Sequence, residues 1–342
     1  MSNSNLHRLG GSTVIFPHRP GIAASAAVVG PKEGKGPLGT MFDLVVADPM
    51  YGQTSYEEAE HAIFREACRR CCQKAGIALD GVQMLLGGDL LNQIMAASLA
   101  ARELAVPFLG LYGACSTMAE SLILGAILAD GGYASPVLCA AGSHFCTAER
   151  QYRFPLEYGG QRSMAAQWTV TGTGACLIKS DGAAMAHIGC ATIGRVVDMG
   201  VSDASNMGAA MAPAACDTLL RHFADTGTRP EDYDAIVTGD LGRVGSDLLT
   251  ELLKENGVTL TKEKHIDCGL EIFNPADDVH AGGSGCGCSA SVLAARLLPR
   301  VHQGEWKKFL FMATGALISP TINQQGETIP GIAHAVVIEG GK

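Results

Sequence analysis

Cys115 stands between Tyr112-Gly-Ala and Ser-Thr-Met-Ala-Glu120, small residues that open onto a weakly charged apolar run, 117–130. A cysteine there falls near the N-terminus of a buried helix, where unpaired N–H groups and the helix dipole favour a thiolate or a bound anion. Two chemistries suit it: a nucleophile that takes up an acyl group, given a base, or a small thiol packed beneath a ligand. His144 follows Gly142-Ser143 at the end of the apolar segment 137–141, a place that should open toward the same pocket. It reads as a ligand contact or as a satisfied structural group. Asp89 and Asp240 each follow an apolar run and a glycine, in Leu85-Leu-Gly-Gly-Asp-Leu90 and Ile236-Val-Thr-Gly-Asp-Leu241. Such carboxylates can cap neighbouring helices, hold a metal or meet a ligand nitrogen. Ser284 and Gly285 lie within Gly282-Gly-Ser-Gly-Cys-Gly287. That stretch lacks the setting of a dinucleotide fingerprint but suits an anion nest at the close-packed start of a helix.

The loop 142–162 gathers Arg150, Arg153 and Arg162 with Glu149 and Glu157 in an otherwise weakly charged chain. Its arginines could draw in a dicarboxylate, although at least two of them read as partners of those glutamates. Cys68-x-x-Cys71-Cys72 and Cys286-x-Cys288 have spacings that zinc could use. Yet Cys68, Cys71 and Cys72 fall in a helical pattern with Arg65, Arg69 and Arg70 on another face, so they read as packed thiols and no metal is expected.

The elements that must position these residues come in two copies. Cys115-Ser116 lines up with Cys288-Ser289, and the same offset carries 137–143 onto 310–316. Upstream, 85–90 lines up with 236–241 at a shorter offset, so the second copy carries an insertion before its buried helix. Two ordered matches predict two similar halves packed face to face, 1–180 and 181–342. Each half alternates strands with helices, the mark of a layered α/β protein. The segments 82–86, 106–111, 137–141, 235–237, 309–313 and 335–338 read as strands, with 106–111 buried. The segments 168–170 and 175–178 read as an antiparallel hairpin around Thr171-Gly-Thr-Gly174. Strand 137–141 has the composition of a buried edge, which predicts pairing with a second copy across a twofold axis.

The chain has 342 residues, 47% hydrophobic and only 17% charged, enough for one large core or two intimate ones. A net charge of −9 argues against nucleic acid as a partner. The start, Met-Ser-Asn-Ser-Asn, lacks the basic and apolar parts of a signal peptide, and no apolar run reaches the roughly 18 residues of a membrane span. Twelve cysteines without a secretion signal predict free thiols in a reducing compartment.

The Cys115 helix and its copy resemble the thiolase-fold proteins, a superfamily that includes thiolases and ketoacyl synthases. More narrowly, the chain resembles the stage V sporulation protein AD family. The carriers are Gly88-Asp-Leu-Leu-Asn-Gln93, Gly113-Ala-Cys-Ser-Thr117, the run from Thr147 to Gln161, Thr169-Val-Thr-Gly172, Ala281-Gly-Gly-Ser-Gly-Cys286 and Met312-Ala-Thr-Gly-Ala-Leu317. The resemblance implies two βαβαβ-type halves layered around two central buried helices, and a homodimer. It also implies a part in moving dipicolinic acid, alone or with calcium, into the spore. The protein would bind dipicolinate while sitting peripherally on the inner spore membrane beside the integral SpoVA membrane proteins. A condensing enzyme of the superfamily further needs a His, then a second His or Asn, in its C-terminal half. Here Thr238-Gly-Asp240 stands at the first place and Gly282-Gly-Ser-Gly285 at the second, with His280 only nearby. An ionised Asp cannot donate to an oxyanion and would repel a thiolate. The expectation is a ligand site without catalytic residues or cofactor, formed by Cys115, His144, Ser284, Gly285, Asp240 and Asp89. The alternative is an acyl-thioester enzyme using Cys115 with His144 or His280 as base.

Overall fold

The computed structural model describes residues 7–152 and 162–341. Strand β1 (Gly21–Val29) is apolar and almost wholly buried. Ser55 accepts the Glu58 N–H at 3.2 Å and starts α1 (Tyr56–Lys74), with Glu57 and Glu58 in its first turn. Then come β2 (Met84–Gly88), α2 (Met95–Leu104) and β3 (Phe108–Gly110). The apolar helix α3 (Thr117–Asp130) is followed by β4 (Val137–Ser143), α4 (Phe145–Tyr152) and β5 (Gly172–Lys179). Next are β6 (Ala186–Thr192), α5 (Met207–Thr226), β7 (Ala235–Thr238), α6 (Gly242–Glu255) and β8 (His265–Asp267). The chain closes with α7 (Cys286–Val292), β9 (Lys308–Ala316) and β10 (Gly331–Glu339). Beyond α7 the helix widens to a π-turn at Leu293–Leu297 before Leu298–His302. Pro299 lies just past that turn and offers no N–H to the carbonyl four residues back.

The strands join in the order β8-β7-β9-β10-β6-β1-β5-β4-β2-β3. Read outward from the centre, each five-strand set repeats one pattern: first strand, fifth, fourth, second, third. In each set the fifth strand is antiparallel to its neighbours and the other outer pairs are parallel. The sets meet where Ala186 and His187 pair with Ile22 and Gly21. Helices α1 and α2 pack on one face of the first set, α5 and α6 on one face of the second. Between the sets, α3 and α7 share a central cluster with β4 and β9. Helix α7 lies so close on β5 that a Cβ at Gly174 would come within 2.1 Å of the Ala290 carbonyl oxygen, a spacing only glycine permits.

Three local expectations fail. Strand 137–143 is not an edge, because β4 pairs with β2 on one side and β5 on the other. The edge on that side is β3, and it is not buried: Leu109 is 51% exposed. The hairpin at 168–178 does not form either. Trp168–Thr169 pairs in parallel with Gly283–Ser284, while β5 runs unbroken into the main sheet. Glycines 172 and 174 stay extended there because they lie beneath α7, so turn-forming residues serve close approach instead.

Candidate functional site

The start of α3 is built on a tight, strained turn. Ala114 adopts φ +49°, a left-handed conformation uncommon for a residue with a Cβ. Ser116 N–H folds back on the Gly113 carbonyl at 3.0 Å, and Ala114 O accepts from Thr117 Oγ1 at 2.7 Å and Cys286 Sγ at 2.9 Å. Cys115 is thereby fixed at the head of α3, only 4% exposed.

Across from it, the start of α7 is tied to a carboxylate. Asp240, fully buried at the exit of β7, accepts the Gly285 N–H at 2.9 Å and Ser284 Oγ–H at 3.1 Å on Oδ2, and Thr314 Oγ1–H at 2.9 Å on Oδ1. Cys115 lies against the same carboxyl. Gly285 sits at φ +102°, and a Cβ there would come within 2.7 Å of Ser143 Oγ, so side chains are excluded. Burial, followed by the neighbouring Asp240, pushes the Cys115 thiol well above its usual pKa. Burial also raises Asp240 despite its four hydrogen-bonding neighbours. Of the two readings of Cys115, these surroundings favour the packed thiol. Desolvation and an adjacent carboxyl outweigh the helix dipole.

Above Cys115 opens a cavity of about 380 Å³, lined among others by Cys115, Tyr152, Arg162, Thr169, Ser284 and Ile318. This is within the range of about 300–1,000 Å³ typical of small-molecule sites. Tyr152 donates to the Leu90 carbonyl at 2.7 Å and contacts Tyr112 Oη at 3.1 Å. The Arg162 guanidinium lies 4.6 Å over the Trp168 ring, and that ring stacks on Phe145 at 3.8 Å. Arg162 also donates to the Asp278 carbonyl at 3.2 Å, and a planar cation at a cavity wall is suited to a carboxylate.

Of the expected site residues, Cys115 and Ser284 line this cavity, and Asp240 with Gly285 stands directly behind them. Two others do not belong to it. His144 is fully buried and turned away; Nε2 meets the Pro49 carbonyl at 2.8 Å, Nδ1 accepts the Cys146 N–H at 3.1 Å, and burial lowers its pKa. Asp89 caps its own loop, accepting Leu91 N–H at 2.8 Å and Ala97 N–H at 2.7 Å. His280 is held by the Ser163 carbonyl at 2.7 Å and Asp278 at 2.7 Å. Arg150 pairs with Glu57 of α1, a partner from outside its own loop; Arg153 and Glu157 lie outside the described residues. Cys68, Cys71 and Cys72 lie on the buried face of α1 and pack in the core.

Sequence reading passed over Thr314, Asp267 and Tyr152. A threonine inside the apolar strand Phe309-Leu-Phe-Met-Ala-Thr314 was the available signal for the first. Asp267, at the end of β8, accepts from Thr238 Oγ1 at 2.7 Å, Leu241 N at 2.9 Å and Gly242 N at 3.0 Å, so it orders the segment that carries Asp240. Burial, the largest influence, pushes it up to about 7.

A family model described as "Stage V sporulation protein AD (SpoVAD)" matches residues 10–339. Stage V sporulation protein AD of Bacillus subtilis (strain 168) is 46% identical over 330 residues, covering 96% of this chain and 97% of the relative. Among solved structures, 3-oxoacyl-[acyl-carrier-protein] synthase III from Aquifex aeolicus VF5 superposes with a TM-score of 0.57 at 13% identity, over 94% of this chain and 99% of that one. Cerulenin-bound OleA of Xanthomonas campestris gives 0.60 at 13% identity, over 95% and 100%. These condensing-enzyme neighbours show that the fold is thiolase-like.

Proposed function

The chain belongs to the stage V sporulation protein AD family, and from that premise we propose that it acts in sporulation as a non-catalytic subunit that binds dipicolinic acid for transport into the spore. The observation that carries the reading is Asp240, whose carboxyl lies against Cys115 and takes up the donors at the head of α7. Condensation requires a group there that tolerates a thiolate and donates to a developing oxyanion. Asp240 has both oxygens taken up as acceptors from Ser284, Gly285 and Thr314, and it raises the cost of charging Cys115. With His144 and His280 both engaged elsewhere, no imidazole faces Cys115 as a base among the described residues.

The ligand-facing groups favour a dicarboxylate by a different route from a pair of helix N-termini. The Gly285 N–H already serves Asp240 and the Tyr152 hydroxyl already donates to Leu90, so a dipicolinate carboxylate would meet Arg162 at the wall and Thr169 beside it, its ring lying over Cys115 and Ser284. Among the described residues no helix is long and apolar enough to cross a membrane. That suits a peripheral protein on the inner spore membrane, docked as a homodimer on the integral SpoVA proteins.

Titration calorimetry with dipicolinate, with and without calcium, tests the reading. Saturable heat is expected. Cys115→Ser should leave the dissociation constant within about threefold, because no nucleophile is used, while Cys115→Leu should fill the slot and weaken binding by roughly tenfold or more. Arg162→Ala should cost about 1.5–3 kcal/mol, the scale of a hydrogen bond to a charged group. The absence of any heat from the wild type would sink the proposal. A stable acyl adduct on Cys115 after incubation with acyl-CoA, read by intact mass, would favour the acyl-thioester alternative.

A further inference from the structure

Three cavities of similar size converge on one short segment. The cavity beside Cys115 holds about 380 Å³. A second, of about 410 Å³, lies against Asp198, Asn323 and Glu327, and a third, of about 340 Å³, against Asn92, Gln93 and Tyr112. Ile318 lines all three, whereas Leu317 and Ser319 line only the two outer ones.

The segment is the exit of β9, and its backbone is tied on either side of Ile318. Leu317 N–H donates to the Pro330 carbonyl at 2.8 Å, and the Ser319 carbonyl accepts the Asn323 N–H at 2.8 Å. Ile318 is thus the half-buried side chain that faces the inner space and both outer ones, on a backbone hydrogen-bonded at both its neighbours. That side chain is β-branched and stiff at χ1, so it does not swing aside as a methionine would.

We propose that Ile318 is the specificity-determining wall of the inner cavity, limiting it to a compact ligand such as a single ring bearing carboxylates and shutting out an extended acyl chain. The inference rests on reading the inner cavity as the ligand site. It adds to that reading the feature by which a thiolase-like scaffold would reject the long-chain ligands that the joined cavities could hold. Removing the Ile318 side chain beyond Cβ would open the inner space toward both outer ones. The outer cavities differ in chemistry, since Asp198 and Glu327 flank one and Tyr112 the other. An apolar tail entering from the inner cavity would follow the Tyr112 side.

The test is calorimetry of wild-type protein, Ile318→Ala and Ile318→Val against three probes: dipicolinate, hexanoate and dodecanoate. Ile318→Ala should bind dodecanoate at least tenfold more tightly than wild type does, the worth of about two further buried methylenes. Hexanoate should distinguish the proteins far less, and dipicolinate affinity should change by less than about threefold. Ile318→Val, which keeps branching and most of the volume, should shift dodecanoate in the same direction by a smaller factor and guards against an alanine variant that fails to fold. Equal dodecanoate affinity in all three proteins overturns the proposal. If dipicolinate binds none of them, the ligand reading fails, yet the dodecanoate comparison still decides whether Ile318 is the wall.

Discussion

A buried acid beside a buried thiol raises the cost of charging either one, and Cys115 with Asp240 is such a pair. The same carboxyl supplies acceptors to Gly285, Ser284 and Thr314, so it fastens the head of α7 to β9 while denying that ground to an incoming anion. His144 presents the converse case, a residue with functional chemistry that the fold uses structurally. Both its ring nitrogens are engaged by backbone, at Pro49 and Cys146. His144→Ala should therefore lower stability by about 1–3 kcal/mol through an unpaired buried carbonyl. Dipicolinate affinity should stay within about twofold of wild type. Urea unfolding and calorimetry on one preparation separate the two effects, and an affinity loss without a stability loss would return His144 to the site. The sequence located the strand exit that carries His144. It could not reveal which way the ring turns, because that depends on Pro49, far away in the chain. Cys115 and Ser284 reach the cavity for the opposite reason: their places at the heads of buried helices leave little choice of direction.

At the scale of elements, the halves of the site meet through strand exits rather than through the helices alone. Asp267 at the end of β8 holds the Leu241 and Gly242 N–H groups, and so orders the Gly239–Gly242 turn that presents Asp240. Its pKa rises from an ordinary 3.8 to about 7, with burial outweighing its three donors and Asp240 adding repulsion. A carboxyl raised in the folded state contributes stability below its unfolded pKa and loses it as pH climbs through the folded value. Wild type should thus lose stability relative to Asp267→Asn between about pH 4 and pH 7, by on the order of a few kcal/mol, with the difference level above that. His222, His265 and His334 are pushed down to about 4 by burial, so their stabilisation disappears as pH falls from 6.5 toward 4. Their effect opposes that of Asp267 in much of the window, which is why the comparison of the two proteins, and not the wild-type curve alone, is diagnostic. Urea midpoints at pH 5 and pH 8 that shift identically in both would refute it. The start and stop of α1 are legible in the sequence, at Ser55 and Gly76. The Thr171–Gly174 stretch was not, since glycines that make turns and glycines that admit a helix look alike until the partner at Ala290 is known.

For the whole molecule, one sheet runs from β8 to β3 and leaves two edges to be managed. The β8 edge is guarded in sequence by Lys262-Glu-Lys264, charges that discourage pairing with another chain. No such guard flanks β3. Its surroundings read Val106-Pro-Phe-Leu-Gly-Leu-Tyr112, and Leu109 at 51%, Tyr112 at 43% and Met95 at 37% remain exposed. An unguarded apolar edge in a single chain invites a second copy of itself, because a twofold axis beside β3 would pair it antiparallel with its own symmetry mate. The expected dimer therefore belongs to β3, not to 137–143, whose hydrogen bonds are spent on β2 and β5. Its location also matters for the site. Tyr112 follows β3 directly, touches Tyr152 in the inner cavity wall and lines one of the outer cavities, so a partner at this edge would stiffen that side of the pocket. Light scattering at micromolar concentration should give twice the chain mass. Leu109→Lys, which puts a charge into the pairing edge, should return the monomer with an unchanged fold by circular dichroism, and should weaken dipicolinate binding modestly through Tyr112. A wild-type protein that is strictly monomeric, or a Leu109→Lys variant that stays dimeric, would remove β3 as the interface.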